Sequence, residues 1–525
     1  MRFERVLCLL LAGCALIAVP ACAAITAGGV VYEDLNRNEL RDAGEPGIPD
    51  VRVSNGREIT TTDEAGRYRL PVDDDTILFV IKPRGWRTPL DHHNLPVFYY
   101  VHRPGGSPDL HYDGVAPTGP LPDSVDFPLY PQDEPDAFHA ILFGDTQPRN
   151  QQEIDYLAHD VVEELIGTDA SFGVTLGDTM FDDLSLFESL NATVALVGIP
   201  WHNVVGNHDI NFDAHDDHHS NATFERVYGP PYYSFDYGPV HFLVLDDVKW
   251  QGEVEDPEAY WGGNYIGGLS GDQLEFIRRD LEMVPEDQLI VLFMHIPLVA
   301  DWVEEERGQL YRMIENRPFA LSISAHYHTH EHVFITDEDG WRGPAPHHHV
   351  INVTTCGSWW SGAPDEEGIP HTTMRDGAPN GYTIIRFDGS DYVIDFKAAR
   401  RPAGEQMHIW TPEPVRPGQA EPSEVLANVY NGSERSVVEF RIVAMTDWMP
   451  MEMVQRPDPY YAAMKELEPD EGPTDWRALP RATDSPHLWR ALLPEGLVAG
   501  QYVLEVRETD MWGREHMGRR SLRVE

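Results

Sequence analysis

Cysteine is nearly missing from this 525-residue sequence. Of its 4 cysteines, Cys8, Cys14 and Cys22 fall within the first 23 residues, which leaves Cys356 alone in the rest. A disulfide framework is therefore excluded, and stability has to come from buried cores and bound metal. Cys356 has no activating neighbour in sequence and reads as a small buried apolar residue, not a nucleophile. Lysine is as scarce, occurring only at Lys82, Lys249, Lys397 and Lys465. With 39 basic against 87 acidic residues the formal net charge is -48. No cluster of Lys and Arg interrupts that balance, which disfavours a nucleic acid polymer as partner, because such binding draws on counterions released around clustered cations. A salt-rich habitat and a GC-rich genome with acidic exported proteins both account for the charge. After the first two dozen residues no stretch is long and apolar enough to span a bilayer. The length exceeds what one core supports and predicts two to four domains.

What is present begins with a targeting segment. Residues 1–23 read as a signal peptide: Arg2 and Arg5 open it, Val6 to Val19 is apolar, and Ala21-Cys22-Ala23 supplies small residues for cleavage. Leu11-Ala12-Gly13-Cys14 fits a lipoprotein box, the competing processing route, which would leave a lipid anchor on Cys14. Both routes imply export, to the periplasm or beyond the cell.

Residues 27–130 read as an N-terminal β-sandwich module, with short β-rich runs separated by Asn-Gly and Asp-rich turns. Early in this module Asp34, Asn36, Asn38, Asp42 and Glu45 fall at positions 1, 3, 5, 9 and 12 of a calcium-loop spacing. Glu39 stands at position 6, where the sharp turn normally takes glycine; a bound calcium and an ion-free polar turn are the two readings. The segment resembles the carboxypeptidase-regulatory-like or surface-repeat β modules that precede exported catalytic domains. Residues 136–368 switch to strands alternating with amphipathic helices, an α/β pattern. Residues 372–525 return to strands and read as a second β-sandwich, which includes Tyr382 to Phe387 and Tyr392 to Phe396. The histidine runs His218-His219 and His347-His348-His349 read as solvated loops.

Chemistry concentrates at the strand ends of the middle segment: Gly144-Asp145-Thr146-Gln147, Gly177-Asp178, Gly206-Asn207-His208-Asp209, His295 and Ala325-His326-Tyr327-His328. Ligands of α/β folds bind outside the carboxyl ends of strands, so these groups should share one crevice. In this order they resemble the signature of the calcineurin-like metallophosphoesterases, in an exported three-domain branch of that superfamily. The resemblance implies a four-layer α/β/β/α central domain flanked by two β-sandwiches, holding two divalent ions (Mn, Fe, Mg or Zn) and a bridging hydroxide. It further implies that Asp178 bridges, that Asp145, Gln147 and His328 hold one ion, and that Asn207, His295 and His326 hold the other. His208, oriented by Asp209, becomes the acid for the leaving group, and the substrate a small phosphomonoester or phosphodiester. Gln147 departs from the more frequent histidine and should bias the first ion toward Mn, Mg or Fe over Zn. Phe181 stands where purple acid phosphatases place a metal-binding tyrosine, which argues against that subfamily. Trp359 and Trp360 are candidate walls of the substrate pocket. The competing function is an exported binding or adhesion protein with a retired active site.

Overall fold

The computed structural model describes residues 25–252, 264–416, 423–469, 472 and 475–525; the signal and lipid-anchor motifs lie outside them. Among the described residues no helix is long and apolar enough to cross a membrane.

In the N-terminal part, two four-stranded sheets contribute to one core of Val31, Val53, Leu70, Leu78, Val80 and Leu129. The polar Asp34–Glu45 loop turns sharply at Arg37 and Glu39, at φ of 60° and 61°, and again at Gly44, at φ of 103°. Its oxygens are taken up by hydrogen bonds inside the loop. Asp34 accepts from the amides of Arg37 and Glu39, Asp42 from the side chains of Asn36 and Asn38, and Glu45 from the amides of Leu35 and Asp42.

The central part carries two sheets. The first, five-stranded, places Ala137–Phe143 at its centre, parallel to Phe172–Thr175 and through it to Trp201–Asn203. The second, six-stranded, runs Tyr233–Tyr237, Val240–Val244, Leu289–Phe293, Ala320–Ser324, His347–Ile351 and Glu331–Ile335. Apolar runs of four or five residues form these parallel strands because both faces are covered, and Leu289–Phe293 is buried throughout. Aromatic rings join the two sheets: Phe172 and Phe242 lie 5.2 Å apart, Phe138 and Phe242 6.4 Å. The N-terminal module is tied on by Arg52, which pairs with Asp236 at 2.7 Å and Asp280 at 2.8 Å.

Two expectations change. The hairpin Gly381–Asp388/Asp391–Ala398 does not belong to the C-terminal sandwich. It adds to the first central sheet, antiparallel to Ala137–Phe143, with Ile385 opposite Ala140 and Phe387 opposite Phe138. Alternation marks these residues as strands, but only the packing of buried Ile385, Phe387 and Ile394 against the central core assigns their sheet. The His347-His348-His349 run is not a solvated loop but a fully buried strand. Burial pushes the His347 and His349 imidazoles down to about 4 and about 3, and as neutral rings they bond to the Ser322 hydroxyl at 2.8 and 2.7 Å. The remaining C-terminal strands form two four-stranded sheets around Val425, Val429, Phe440, Leu504 and Leu522.

Candidate metal centre

Each chemical motif sits where a strand stops and the chain turns sharply. Asp145, Gln147, Asp178, His326, His328 and Trp359 all have positive φ, between 35° and 72°. Side chains other than glycine hold such a conformation at a cost of about 1–3 kcal/mol each, and only where the surroundings enforce it. Glycine is required beside them. A Cβ on Gly206 would stand 1.9 Å from the Asp178 amide nitrogen and 2.3 Å from its Oδ1, so the third motif approaches the second only through a bare backbone.

These turns bring all seven residues of the expected ligand set into one buried crevice. Asp178 faces both halves: its Oδ2 lies 2.6 Å from Gln147 Nε2, and its Oδ1 lies 3.2 Å from His295 Nε2. On the second side His295 Nε2 is also 3.0 Å from Asn207 Oδ1 and 3.1 Å from His326 Nδ1. Ligand atoms of Asp178, His295 and His326 all lie within 4.8 Å of one another. On the first side His328 Nε2 is 3.9 Å from Asp145 Oδ1, and Asp145 accepts from the His326 amide at 3.1–3.2 Å.

The donor set fits metal ions. His295 Nδ1 donates to the Leu176 carbonyl at 2.9 Å and His328 Nδ1 to the Gly357 carbonyl at 2.6 Å. A carbonyl only accepts, so each ring carries its proton there and turns a lone pair into the site, the arrangement that orients a metal-binding histidine. Asn207 Oδ1, Asp178 Oδ1 and His326 Nδ1 converge around His295 Nε2, a cluster that positive charge satisfies, either a proton on His295 or a cation held between the groups. Among the described residues no lysine or arginine pairs with Asp145 or Asp178. Burial pushes the Asp145 carboxyl up to about 8 and the His326 and His328 imidazoles down to about 3. Burial also opposes charge on His295, but the Asp178 carboxylate outweighs it and raises that imidazole to about 10. The crevice thus demands positive charge, and neutral imidazole is the form that two of its histidines adopt.

The outer contacts correct one assignment. Asp209 does not orient His208. Its carboxylate accepts from the backbone amides of Gly206, Thr179 and Met180 at 2.9–3.0 Å and ties the second motif to the third. His208 is held by Asp182, whose Oδ1 lies 2.6 Å from its Nδ1. Asp182 was missed in the sequence; its only signal is the pair Asp182-Asp183 four residues beyond Asp178. Asp247 was missed as well, and accepts from the His295 and Ile296 amides at 3.0 and 2.8 Å. Phe181 stacks on His208 at 4.6 Å, so a ring without a phenol oxygen occupies that position. The Arg149 and Arg477 guanidiniums lie 5.6 and 6.0 Å from the same ring. Of the two tryptophans, half-buried Trp359 stacks on His328 at 3.8 Å. Trp360 leaves the pocket: it is 2% exposed, and its Nε1 donates to the Thr146 carbonyl. Cys356 is buried behind Gln147 and His328, with its thiol pushed well up by burial.

Asp209→Ala removes the acceptor of three buried amides, each of which then costs about 1–3 kcal/mol. We expect the melting temperature of the variant to fall by several degrees with the metal-stripped protein as reference; an unchanged midpoint would show that water replaces the carboxylate.

Comparison with known proteins finds matches on either side of this site. A family model described as the N terminal of calcineurin-like phosphoesterase matches residues 36–112, and one described as the C terminal of calcineurin-like phosphoesterase matches residues 349–516. Among solved structures the chain is similar to a purple acid phosphatase from yellow lupin (Lupinus luteus) seeds, with 12% identity, a TM-score of 0.35 and 67% of each chain covered. It is also similar to CopC from Methylosinus trichosporium OB3b, with 14% identity and a TM-score of 0.13, over 22% of this chain and 94% of that one. No curated protein matches. A mixed α/β domain between β domains, with family models on both sides, defines a metal-dependent phosphoester hydrolase. The two segments that flank the central domain are similar to the N-terminal and C-terminal parts of calcineurin-like phosphoesterases.

Proposed function

We propose that this exported enzyme hydrolyses a small phosphomonoester or phosphodiester with a dinuclear metal centre. The observation that carries the reading is Asp178, which turns one carboxylate oxygen toward Gln147 and the other toward His295 and, among the described residues, pairs with no lysine or arginine. Asp145, Gln147 and His328 would hold one divalent ion, Asn207, His295 and His326 the other, with Asp178 shared. Bound there, such a pair supplies charge to the phosphate oxygens and lowers the pKa of water so that it attacks phosphorus at neutral pH. The chain's own residues do the rest. His208 donates a proton to the departing oxygen, Asp182 fixes its ring, and Phe181 keeps that ring flat against one wall. Arg477 stands beside the Phe181 ring, while the Arg149 charge is paired with Glu153. We assign the hairpin Gly381–Ala398 to the catalytic unit, so that the C-terminal sandwich begins after it, and read the two central sheets with their helices as four layers.

The test is hydrolysis of p-nitrophenyl phosphate and bis-p-nitrophenyl phosphate by metal-stripped protein with Mn, Mg, Fe or Zn restored. Metal-dependent turnover that vanishes in Asn207→Ala supports the reading; turnover indifferent to chelators sinks it. The amide oxygen of Gln147 is a weaker ligand than imidazole. Gln147→His should therefore bind zinc about tenfold more tightly, consistent with the ~10–100-fold effects that changes around metal sites produce, as read by chelator competition.

A further inference from the structure

Where the N-terminal module docks on the phosphoesterase domain, a turn at residues 91–95 sets two histidines side by side. The His92 and His93 rings lie 3.8 Å apart, with 39° between their planes. Both turn Nε2 toward one atom, Oε1 of Glu188, at 3.6 Å each. Glu188 belongs to the helix Phe187–Val194 of the other domain. Ligand atoms of Asp91, His92 and His93 also lie within 4.8 Å of one another.

The plain alternative is a surface ion pair, a protonated ring against a carboxylate. The distances speak against it. Such a pair closes to about 2.7–2.9 Å, whereas an oxygen 3.6 Å from two nitrogens hydrogen-bonds to neither. The spacing is that of donors around a shared ion. With zinc about 2.0–2.1 Å from each donor, two ligands of a tetrahedral site stand about 3.3–3.5 Å apart. A second observation comes from His93 itself. It is 8% exposed, yet neither ring nitrogen hydrogen-bonds to a described residue, and its Nε2 is aimed into the group. A buried imidazole left in that state costs free energy that a ligand removes. The other histidine pair of this junction differs, because Arg103 and His218 already bond to the two oxygens of Asp75.

The turn that carries the histidines is held from several sides. Asp91 Oδ1 accepts from the amides of His93 and Leu95 at 2.8 and 2.9 Å. Asn94, at φ of 61°, donates from Nδ2 to the Ala195 carbonyl at 3.0 Å, and its own carbonyl accepts the Trp201 amide at 3.1 Å. The donors are thus positioned before any ion arrives.

We propose that His92, His93 and Glu188 form a binding site for a divalent ion of the zinc class, made of none of the catalytic ligands, with an oxygen of Asp91 or of water as the fourth donor. Two imidazoles and a carboxylate are a set that zinc takes, while calcium and magnesium select oxygen alone. The ion joins two domains in a chain whose Cys356 stands alone beyond the first 23 residues. It also bears on the strand Trp201–Asn203, which leads to Asn207.

Zinc counting tests the site. The full-length protein and its variants are dialysed against the same buffered micromolar free zinc, and bound metal is measured by mass spectrometry. His92→Gln and Glu188→Gln alter side chains that are 73% and 78% exposed, so folding is not at risk. Each should hold one zinc fewer per chain than wild type, or bind that zinc at least about tenfold more weakly. Glu188→His, which supplies a third imidazole, should keep the wild-type count. The catalytic crevice takes up metal equally in every sample, so the difference is independent of how many ions it holds. Equal zinc counts and affinities in wild type and His92→Gln would overturn the proposal. So would a Glu188→His variant that loses the ion as Glu188→Gln does, since Glu188 would then be no ligand.

Discussion

Asp178→Asn is expected to lower kcat/KM for bis-p-nitrophenyl phosphate by about a thousandfold or more, since several kcal/mol of transition-state stabilisation are lost with the shared ligand. The substitution keeps the shape of the side chain and removes one charge. That charge is the one that raises the His295 imidazole and turns toward both halves of the crevice. With an amide in its place, one of the two faces meets an N–H group instead of a lone pair, and an ion on that side loses its shared ligand. Metal content should fall along with activity. The variant is expected to remain folded, because Asp178 is anchored through its backbone: its carbonyl accepts the Gln147 amide at 3.0 Å. A variant that keeps wild-type metal content and loses less than tenfold in kcat/KM would remove Asp178 from the centre of the account.

His208→Ala carries the second large effect, and its size depends on the ester. Donating a proton to a departing oxygen contributes roughly 10²–10⁴-fold for general acids. The loss should approach that range for an alkyl phosphoester, whose leaving oxygen needs the proton. It should shrink to about tenfold or less for p-nitrophenyl esters, whose leaving group departs as a stable anion. Burial pulls the His208 imidazole down, but the Asp178 and Asp182 carboxylates more than offset that and hold it above the ordinary histidine value. As an acid it works while protonated, so kcat should fall as pH rises through this raised value. Asp182→Asn removes one of the carboxylates that raise it, and the alkaline limb of the profile should move to lower pH. Equal losses for alkyl and p-nitrophenyl esters would show that His208 binds phosphate instead of donating a proton.

How much of this was legible beforehand differs residue by residue. The convergence of the expected ligand set could be read because each member ends a strand, and the order of short motifs survives in sequence even where the turns between them do not. The partner of His208 could not be read that way. Asp209 follows it directly, yet adjacent residues in a turn point apart, and Asp209 turns back to three amides while Asp182 comes from another loop. The His347–Ile351 strand misled for a different reason. Histidine counts as polar, but a ring held neutral by burial and bonded to Ser322 packs as an aromatic side chain. The hairpin Gly381–Ala398 showed its alternation clearly and its sheet not at all, because pairing with Ala137–Phe143 spans more than two hundred residues and leaves no local trace. Trp359 and Trp360 are neighbours with opposite fates, one against His328 and one sealed beneath Thr146. Both share a positive φ, at 57° and 50°, so the turn that sends their rings apart is a backbone property that leaves no sign in the sequence.

The measurement that tests the central claim most directly is metal stoichiometry against activity. Metal-stripped protein is titrated with manganese, and bound metal is counted by mass spectrometry while bis-p-nitrophenyl phosphate turnover is followed in the same samples. The account predicts that turnover rises only as the second catalytic equivalent binds, and that Asn207→Ala and His295→Ala each retain one ion and no turnover. Full activity at one equivalent, or two tightly bound ions with no turnover of any phosphoester, would contradict it.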